Sequence, residues 1–253
     1  MLNEARHLCG KNYLIEMRPG WFLRCHPTAY DFAYHLQNND PDQIAEFDGF
    51  ISSCTPRMVL LDVGAHFGLF SLAALHFGGL EAKALAIDPS PIATRIMNIQ
   101  LRMNGVEGRG AVVQASASDQ NGWQGLVATG VNGAGFFLPP QDHAGREITK
   151  TRATTLDALA KEHNLKPTHI KIDVEGGEAE VLRGSEQLLS HVSPPLLLLE
   201  LHNELIRSRC GNPSETLNLL KKFGYQAYSF EMRPLSDDFI LSQPLVRVLA
   251  KRQ

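Results

Sequence analysis

Two groups of residues in the first half of the chain have the types and spacing of a nucleoside-binding site. The segment Asp62-Val63-Gly64-Ala65-His66-Phe67-Gly68 ends an apolar run from Met58 to Val63, and such a run is typical of a strand buried on both faces. Gly64 permits a sharp turn from strand to helix, and Gly68 lets the helix pack near the sheet. Asp88 ends the next apolar run, 24 residues after Gly64, close to the spacing at which an acid meets ribose hydroxyls.

The same loop lacks the glycines of a dinucleotide site. A GxGxxG pattern starting at Gly64 would require glycine at positions 66 and 69, which are His66 and Leu69. An imidazole here would crowd a pyrophosphate, and the chain has no GxxxxGK[ST] motif. The loop therefore favours a nucleoside without phosphates. S-adenosylmethionine is such a ligand, with its ribose at Asp88 and its amino-acid end at the glycine turn.

A third strand end carries two further candidates for cofactor binding. Ser118 and Asp119 follow an apolar run at 111–115, and we expect them to approach the adenine edge. An Asx-type turn leading to Gly122 explains the same two residues equally well.

The fourth and fifth strand ends supply candidates for the acceptor side of a methyl transfer. Such a transfer needs alignment and removal of the acceptor's proton. Asp173 follows the run His169–Ile172, and His202 follows the run Leu196–Leu199. We predict Asp173 as a catalytic or cofactor-binding carboxylate and His202 as a general base, since an unperturbed imidazole has a pKa near 6.5. Glu178 is predicted in a first helical turn, with a structural role.

A metal ion is the weaker alternative for this side of the site. Asp173 with Glu200 or Asn203 could hold Mg²⁺, because hard cations prefer oxygen ligands. The sequence shows no characteristic ligand spacing, so it predicts no metal site.

The elements that must position these residues alternate between strand and helix. Parallel strands connected by helices form a sheet that is covered on both faces. The last two strands are close enough in sequence to pair antiparallel. The sequence thus predicts an α/β, Rossmann-like fold with a mostly parallel sheet and an antiparallel last strand. The predicted strands are Met58–Val63, Lys83–Ile87, Ala111–Ala115, His169–Ile172, Leu196–Leu199, Tyr225–Phe230 and Leu245–Leu249.

Two segments lie outside this alternation. Residues 1–55 read as an accessory layer, with a hairpin at Arg18-Pro19-Gly20 and a helix that begins at Asp40-Pro41. Residues 56–253 form the main domain. Within it, residues 121–147 contain six glycines and are predicted to be an insertion, an irregular hairpin or lid.

The composition and charge of the chain disfavour several classes of protein and partner. The 253 residues are 43% hydrophobic, and 24 basic against 27 acidic residues give a net charge of −3. This balance disfavours nucleic acid as the main partner. Aliphatic runs are far too short for a membrane span, and Glu4 and Arg6 interrupt any signal peptide, so we expect a cytoplasmic protein. Four cysteines without metal or disulfide spacing are expected to be free thiols: Cys9, Cys25, Cys54 and Cys210.

Five segments, in this order and spacing, resemble the FkbM family of S-adenosylmethionine-dependent methyltransferases. They are DVGAHFGLFS, IDPSP, ASASDQNG, TTLDAL and IKIDVEGGEAEVLRG, and together they cover about residues 58–201. The resemblance implies a class I methyltransferase fold with a seven-stranded sheet. It also implies O-methylation of a hydroxyl on a small molecule such as a sugar, a polyketide or another secondary metabolite.

By the same resemblance, a set of loop and strand-end residues lines the cofactor pocket: Asp62, Gly64, Ala65, Gly68, Asp88 and Asp173. His66 replaces the asparagine usual in the family's loop, and its imidazole can still donate one hydrogen bond to the cofactor. Two alternatives stay open at this point. One is a nucleoside-dependent oxidoreductase, which His66 disfavours, and the other is a degenerate methyltransferase domain that binds the cofactor without turnover.

Overall fold

The computed structural model describes residues 13–38, 41–128, 135–137, 148–209 and 211–252. Its strands are β1 (Tyr13–Arg18), β2 (Trp21–Cys25), β3 (Val59–Val63), β4 (Lys83–Asp88), β5 (Gly110–Gln114), β6 (Ser116–Ala117), β7 (Gly122–Ala128), β8 (Gly135–Phe137), β9 (Ile148–Thr154), β10 (His169–Ile172), β11 (Leu196–Leu201), β12 (Tyr225–Tyr228) and β13 (Val246–Arg252). Its helices are α1 (Pro27–Asn38), α2 (Pro41–Ser53), α3 (Leu69–Phe77), α4 (Pro91–Met103), α5 (Leu156–Glu162), α6 (Glu178–Arg183), α7 (Glu186–Ser190), α8 (Asn203–Ser208), α9 (Ser214–Lys222) and α10 (Asp237–Ser242).

Seven strands form the central sheet, in the order β12-β13-β11-β10-β3-β4-β5. The pairs β11–β10, β10–β3, β3–β4 and β4–β5 are parallel, and β13 is antiparallel to both of its neighbours. This confirms the predicted sheet with its antiparallel last strand. Strand order reverses between β3 and β10, and at such a switch point the loops on neighbouring strands diverge and leave a crevice.

Alternation along the strands divides the core into two apolar layers. On β3, Leu60 faces one layer and its neighbour Leu61 faces the other. On β11, Leu198 faces the first layer, while Leu197 and Leu199 face the second. Both faces of the sheet are therefore covered, as an all-apolar parallel strand requires.

The N-terminal segment packs into the first of these layers. The hairpin β1–β2 has its turn at Pro19 and Gly20, as predicted. Helix α1 was not predicted, although Pro27 occupies its first turn and Ala29, Ala33 and Leu36 recur on its buried face. These apolar residues lie four and three positions apart, which is the spacing of one helical face.

Helix α2 begins at Pro41, as predicted, whereas its proposed cap Asp40 lies outside the described residues. Phe47 and Phe50 are the fully buried apolar residues of α2, and Ile51 packs against the same core from a partly buried position. Trp21 and Phe70 contact Phe47 with ring centroids 6.1 and 5.1 Å away. The division of the chain at residue 55 stays a prediction, but the core is shared across it.

The predicted insertion contains regular structure. Strands β6, β9, β7 and β8 form a second sheet in that order, and β7 pairs with β9 from Gly122↔Ala153 to Val127↔Ile148. Strand β7 is regular because it pairs with β9 along its length, and β7 and β8 are antiparallel to each other. The assignment of 121–147 as an insertion stays a prediction. The rest of the insertion, 129–134 and 138–147, lies outside the described residues, as do Cys9 and Cys210.

Within the described residues, no helix has both the length and the apolar character that a membrane crossing needs. Cys25 and Cys54 are free thiols, as expected.

The shared core predicts how a single truncation acts on unfolding. Phe47→Ala removes a fully buried ring and is expected to lower the free energy of unfolding by about 3–5 kcal/mol. The matched control Phe22→Ala removes a ring that is 56% exposed and should cost less than about 0.5 kcal/mol. Urea unfolding followed by circular dichroism measures both. A main transition unchanged in Phe47→Ala would show that the N-terminal layer unfolds independently.

Candidate functional site

A cleft of about 810 Å³ opens at the carboxyl ends of the parallel strands. The loops after β3, β4, β5, β10 and β11 contribute to its walls, together with the N-terminal helices α1 and α2 and strand β7. This is the crevice expected at the switch point between β3 and β10. Residues that line it include Gly64, His66, Asp88, Ser118, Asp173 and Glu200.

Gly64 brings two loops into direct contact across the switch point. Its backbone has φ +75°, and a Cβ atom added to it would lie 1.7 Å from the carbonyl oxygen of Asp173. Its N–H donates to the Ile87 carbonyl oxygen at 2.9 Å. Both the conformation and the space require glycine here, and the close approach of the backbones forms the floor of the cleft.

Three of the predicted loop residues lie behind the cleft wall, where they hold the loop after β3 in position. Asp62 accepts hydrogen bonds from the N–H and Oγ of Ser71, at 3.0 and 2.7 Å, and so ties β3 to α3. Gly68 has φ +76° and lies against Met97 of α4, which a Cβ would reach at 2.5 Å. Ala65 is buried and packs with Met97. These residues shape the loop without lining the described cleft.

Asp88 lies at the end of β4 with both carboxylate oxygens engaged. The oxygens accept from the backbone N–H groups of His66 and Ser90, each at 2.8 Å. Burial raises the pKa of Asp88 to about 7, although both hydrogen bonds lower it. Each oxygen keeps a lone pair, so the carboxylate can accept two further donors from the cleft. A pair of ribose hydroxyls satisfies this geometry.

His66 contributes through its backbone and its ring at once. Its φ of +50° turns its N–H towards Asp88. The imidazole packs against Phe67 with a centroid distance of 3.7 Å and the two rings tilted by 31°, and it meets Phe32 of α1 edge-on at 4.9 Å. The aromatic group at this position therefore forms part of the cleft wall beside the N-terminal helix.

Ser118 and Asp119, predicted together, are in contact, since Ser118 Oγ donates to Asp119 Oδ1 at 3.5 Å, but their other contacts differ. Ser118 is buried and lines the cleft, where its Oγ accepts a hydrogen bond from Gln124 of β7 at 3.1 Å. Asp119 instead forms an ion pair with Arg183 of α6 at 3.0 Å. Ser118 therefore keeps its place as a candidate at the nucleoside end, whereas the contacts of Asp119 are those of a structural residue.

Lys171 and Asp173 form a buried ion pair at the end of β10. Lys171 Nζ lies 3.0 Å from Asp173 Oδ2 and 4.6 Å from the centre of the Phe70 ring. Burial alone would raise the pKa of Asp173, but Lys171 lowers it, and the net direction is downward. Asp173 is therefore ionised at neutral pH, with Oδ1 turned away from Lys171.

His202 lies against this aspartate and is buried, not a surface imidazole. Its Nδ1 hydrogen-bonds Glu178 Oε1 at 2.8 Å, and its Nε2 lies 3.6 Å from Glu175 Oε2 and 3.8 Å from Asp173 Oδ1. Burial alone would lower the pKa of His202, but the Glu178 hydrogen bond and the neighbouring carboxylates raise it to about 9. The expectation of an ordinary pKa near 6.5 for His202 does not hold. The carboxylates that raise its pKa lie on other elements, so the residues beside His202 in the sequence do not reveal them.

We call Asp173, Glu175, Glu200 and His202 the acceptor cluster. Glu200 Oε1 lies 3.9 Å from His202 Nε2, so all four residues of this set meet in one corner of the site. The structure thus brings together the predicted pair Asp173 and His202. Asn203 points elsewhere: its amide donates to the carbonyl oxygens of Ile240 and Gln243, which excludes it from the predicted alternative metal site.

Two residues of the site, Glu46 and Arg247, were not identified from the sequence, and a third, Glu178, has a further contact. Glu46 of α2 is buried in the cleft wall and lies 3.1 Å from Arg247, which in turn lies 2.7 Å from Glu200. Burial raises the pKa of Glu46 to about 7. Glu178 was assigned a structural role, yet its fully buried carboxylate orients His202. The one available signal was a Glu on the apolar face of α2.

The order of the central sheet and the cleft at its switch point are those of the Rossmann-like class I methyltransferase fold. The sequence matches the methyltransferase FkbM domain over residues 62–227. The chain therefore belongs to the FkbM methyltransferase family, and S-adenosylmethionine is its cofactor. No curated protein sequence matches the chain.

Solved structures resemble the chain at low identity. A precorrin-6y C5,15-methyltransferase from Geobacter metallireducens is 13% identical, with 86% of this chain and 91% of that chain covered and a TM-score of 0.48. A putative rRNA methylase from Clostridium thermocellum is 9% identical, with 84% and 96% covered and a TM-score of 0.49. An O-methyltransferase from Thermotoga maritima is 10% identical, with 83% and 64% covered and a TM-score of 0.46.

The residues present fit this cofactor. Asp88 has free acceptor capacity for the ribose, Gly64 lines the cleft without a side chain, and the carboxylates of the acceptor cluster favour a sulfonium cation. When bound, the cofactor supplies an electrophilic methyl group.

The contact between Gly64 and Asp173 predicts a difference between two glycines of similar conformation. Gly79→Ala, at φ +76° with nothing near its Cβ position, should cost about 1–2 kcal/mol from backbone strain alone. Gly64→Ala, at φ +75°, should cost a further 1–3 kcal/mol, roughly the penalty of overpacking, and should weaken cofactor binding. Urea unfolding and calorimetric titration measure the two effects. Equal losses in both variants would contradict the close approach.

The environment of Asp88 predicts a pH-dependent affinity for the cofactor. We predict that ribose hydroxyls donate to the ionised carboxylate of Asp88, and a carboxyl with a pKa of about 7 must lose its proton before it can accept both. Affinity for S-adenosylmethionine should therefore rise between pH 6 and pH 8, by up to about tenfold for each pH unit below the pKa. Asp88→Ala should bind at least about tenfold more weakly and lose this pH dependence.

Calorimetric titration at several pH values makes this measurement. In the ligand-free protein the sign is opposite. The pKa of Asp88 is raised on folding, so its contribution to stability is present at acid pH and is lost as pH rises through about 7. Unchanged affinity in a folded Asp88→Ala protein would place the ribose elsewhere.

Proposed function

We propose that this methyltransferase transfers the methyl group of S-adenosylmethionine to a hydroxyl oxygen of a small molecule. The observation that carries the proposal is that the two ends of the cleft differ in chemistry. Its nucleoside end is at Asp88, and its other end is the acceptor cluster, which lies directly beyond the Gly64 turn. A sulfonium methyl group between these two ends would face an acceptor oxygen held against Asp173 and His202.

The chemistry follows from that placement. With the cofactor bound, the acceptor oxygen would form a bond to the methyl carbon as the carbon–sulfur bond breaks, and the sulfur would keep the electron pair in the product S-adenosylhomocysteine. The hydroxyl proton passes to a carboxylate of the acceptor cluster. His202 already carries a proton at neutral pH in the ligand-free protein, so it orients the acceptor rather than acting as the first base.

Charge and shape favour a small acceptor over nucleic acid. Carboxylates from several elements line the cleft, including Glu46, Glu175, Glu200 and Glu215. Phosphate groups would be repelled by this lining, and the chain as a whole is acidic. Trp123 of β7 is 66% exposed beside the cleft, and an aromatic ring in that position suits a sugar ring or another partly apolar acceptor.

The proposal predicts the fate of the methyl group and the effect of two substitutions. Methyl-labelled S-adenosylmethionine should label metabolites of low molecular mass in cell extract and leave RNA unlabelled, and ¹³C NMR of the product should place the methyl on oxygen. Asp173→Asn and His202→Gln should slow single-turnover transfer by at least about 100-fold while cofactor binding is retained.

Glu204→Gln is the matched control, because Glu204 is an exposed carboxylate two residues from His202, and it should keep the rate of the parent protein. Label in RNA alone would overturn the choice of acceptor. Near-normal rates in both Asp173→Asn and His202→Gln would show that alignment alone carries the reaction. An absence of turnover on every fraction, with cofactor binding intact, would support a cofactor-binding protein without activity.

A further inference from the structure

The free ring nitrogen of His202 occupies an unusual position in the acceptor cluster. It belongs to a side chain that is only 5% exposed, and within the described part of the chain Nε2 makes no hydrogen bond. Three carboxylate oxygens nevertheless surround it, at 3.6 Å (Glu175), 3.8 Å (Asp173) and 3.9 Å (Glu200). These distances are too long for hydrogen bonds, which between charged nitrogen and oxygen are about 2.7–2.9 Å.

We infer that Asp173, Glu175 and His202 hold a divalent cation. One oxygen of each carboxylate and one imidazole nitrogen lie within 4.8 Å of one another. Two ligands that are each about 2.1 Å from a common ion lie roughly 3–4 Å apart, which matches the separations of Nε2 from the two oxygens. A cation between the three side chains thus explains why the distances from Nε2 to the two carboxylate oxygens are longer than direct hydrogen bonds.

The orientation of the imidazole is a separate observation that points the same way. Nδ1 is hydrogen-bonded at 2.8 Å to Glu178, whose side chain is fully buried. Metal-bound histidines commonly donate their second ring N–H to a carboxylate, which fixes the tautomer and directs the other nitrogen at the metal. Glu178 performs this function here from the first turn of α6, and the nitrogen left over is the one aimed at Asp173 and Glu175.

The charge around the cluster leaves room for a further cation. Three basic side chains lie among these acids: Lys171, Arg247 and, beside Glu175, Arg209. The neighbouring carboxylates are Glu46, Asp62, Asp173, Glu175, Glu178 and Glu200. Coordination through Nε2 requires a neutral His202, and Glu46 is counted as neutral because its pKa is about 7. In the cofactor-free chain the other five carboxylates then face three basic groups, and one divalent ion balances the difference.

The ligand set indicates which cation would bind. Carboxylate oxygens suit Mg²⁺ and Mn²⁺, whereas imidazole suits transition metals. A mixed set of two carboxylates and one imidazole is best met by Mn²⁺. Three protein ligands leave positions open for ligands from the cleft, which Asp173 and Glu175 line.

This inference deepens the proposed function and rests on it for the role of the cation. An acceptor with two adjacent oxygen atoms, such as a vicinal diol, would occupy two open positions. The bound hydroxyl would become more acidic, as oxygen ligands of metal ions do. Glu200, which is not a ligand, would take its proton, and Asp173 and His202 would act on the hydroxyl through the ion.

Mn²⁺ titration of the cofactor-free full chain, followed by electron paramagnetic resonance of the free ion, tests the site without any acceptor. We expect one Mn²⁺ per chain in the parent protein. Glu175→Gln, a change at a half-exposed side chain, should weaken binding at least about 100-fold, the upper end of what loss of an outer-sphere partner costs. His202→Asn should do the same, and Glu204→Gln should bind as the parent does.

The Mn²⁺-binding measurements test the cation site independently of the proposed methyl transfer. A parent protein that takes up no Mn²⁺, or takes it up equally in Glu175→Gln, overturns the site even if methyl transfer to small molecules is observed. Site-specific Mn²⁺ binding without any methyl transfer supports the site and contradicts the function. Because Glu175 is half-exposed, its variant remains informative if His202→Asn does not fold.

Discussion

The catalytic end of this protein depends on one buried ammonium group. Lys171 is 3% exposed at the centre of the sheet, on β10 between β3 and β11, and its charge attracts four carboxylates contributed by different parts of the fold. Asp62 comes from β3, Asp173 follows β10, Glu200 lies on β11 and Glu46 lies on α2. An unpaired buried charge is expensive, so this arrangement is stable only when all of these elements are in place. The charge pairing in the site and the packing of the sheet therefore depend on each other.

The N-terminal layer contributes both to the packing of the sheet and to the charge pairing in the site. Its aromatic side chains complete the first apolar layer, and its Glu46 reaches Arg247 on the last strand. Arg247 then contacts Glu200, so a chain of charges links the first and last parts of the fold across the floor of the cleft. The cleft wall also includes Phe32 and Leu36 of α1. The same short segment thus contributes to stability, electrostatics and the boundary of the site.

The sequence predicted local features well and long-range ones poorly. Unbroken apolar runs identified the strands of the central sheet, because each signal lies within a few consecutive residues. The glycine loop and Asp88 meet at one end of the cleft, and their assignment to the nucleoside stays a prediction. Helix α1 was missed because its polar residues obscure a narrow apolar face. The raised pKa of His202 could not be anticipated, since Glu175 and Glu178 come from a loop and a helix more than twenty residues earlier. The only local signal for Glu46 is its place beside the apolar residues of α2, and only the folded chain places it beside Arg247.

The second sheet separates two tasks that many small enzymes combine. Strand β7 carries Trp123 to the mouth of the cleft and pairs with β8 and β9, not with the central sheet. Its sequence can therefore drift without disturbing the strand ends where the chemistry is built. In evolutionary terms, β7 is the replaceable part of the protein: descendants of one ancestor could acquire new acceptors by altering this ribbon while they inherit the reaction unchanged.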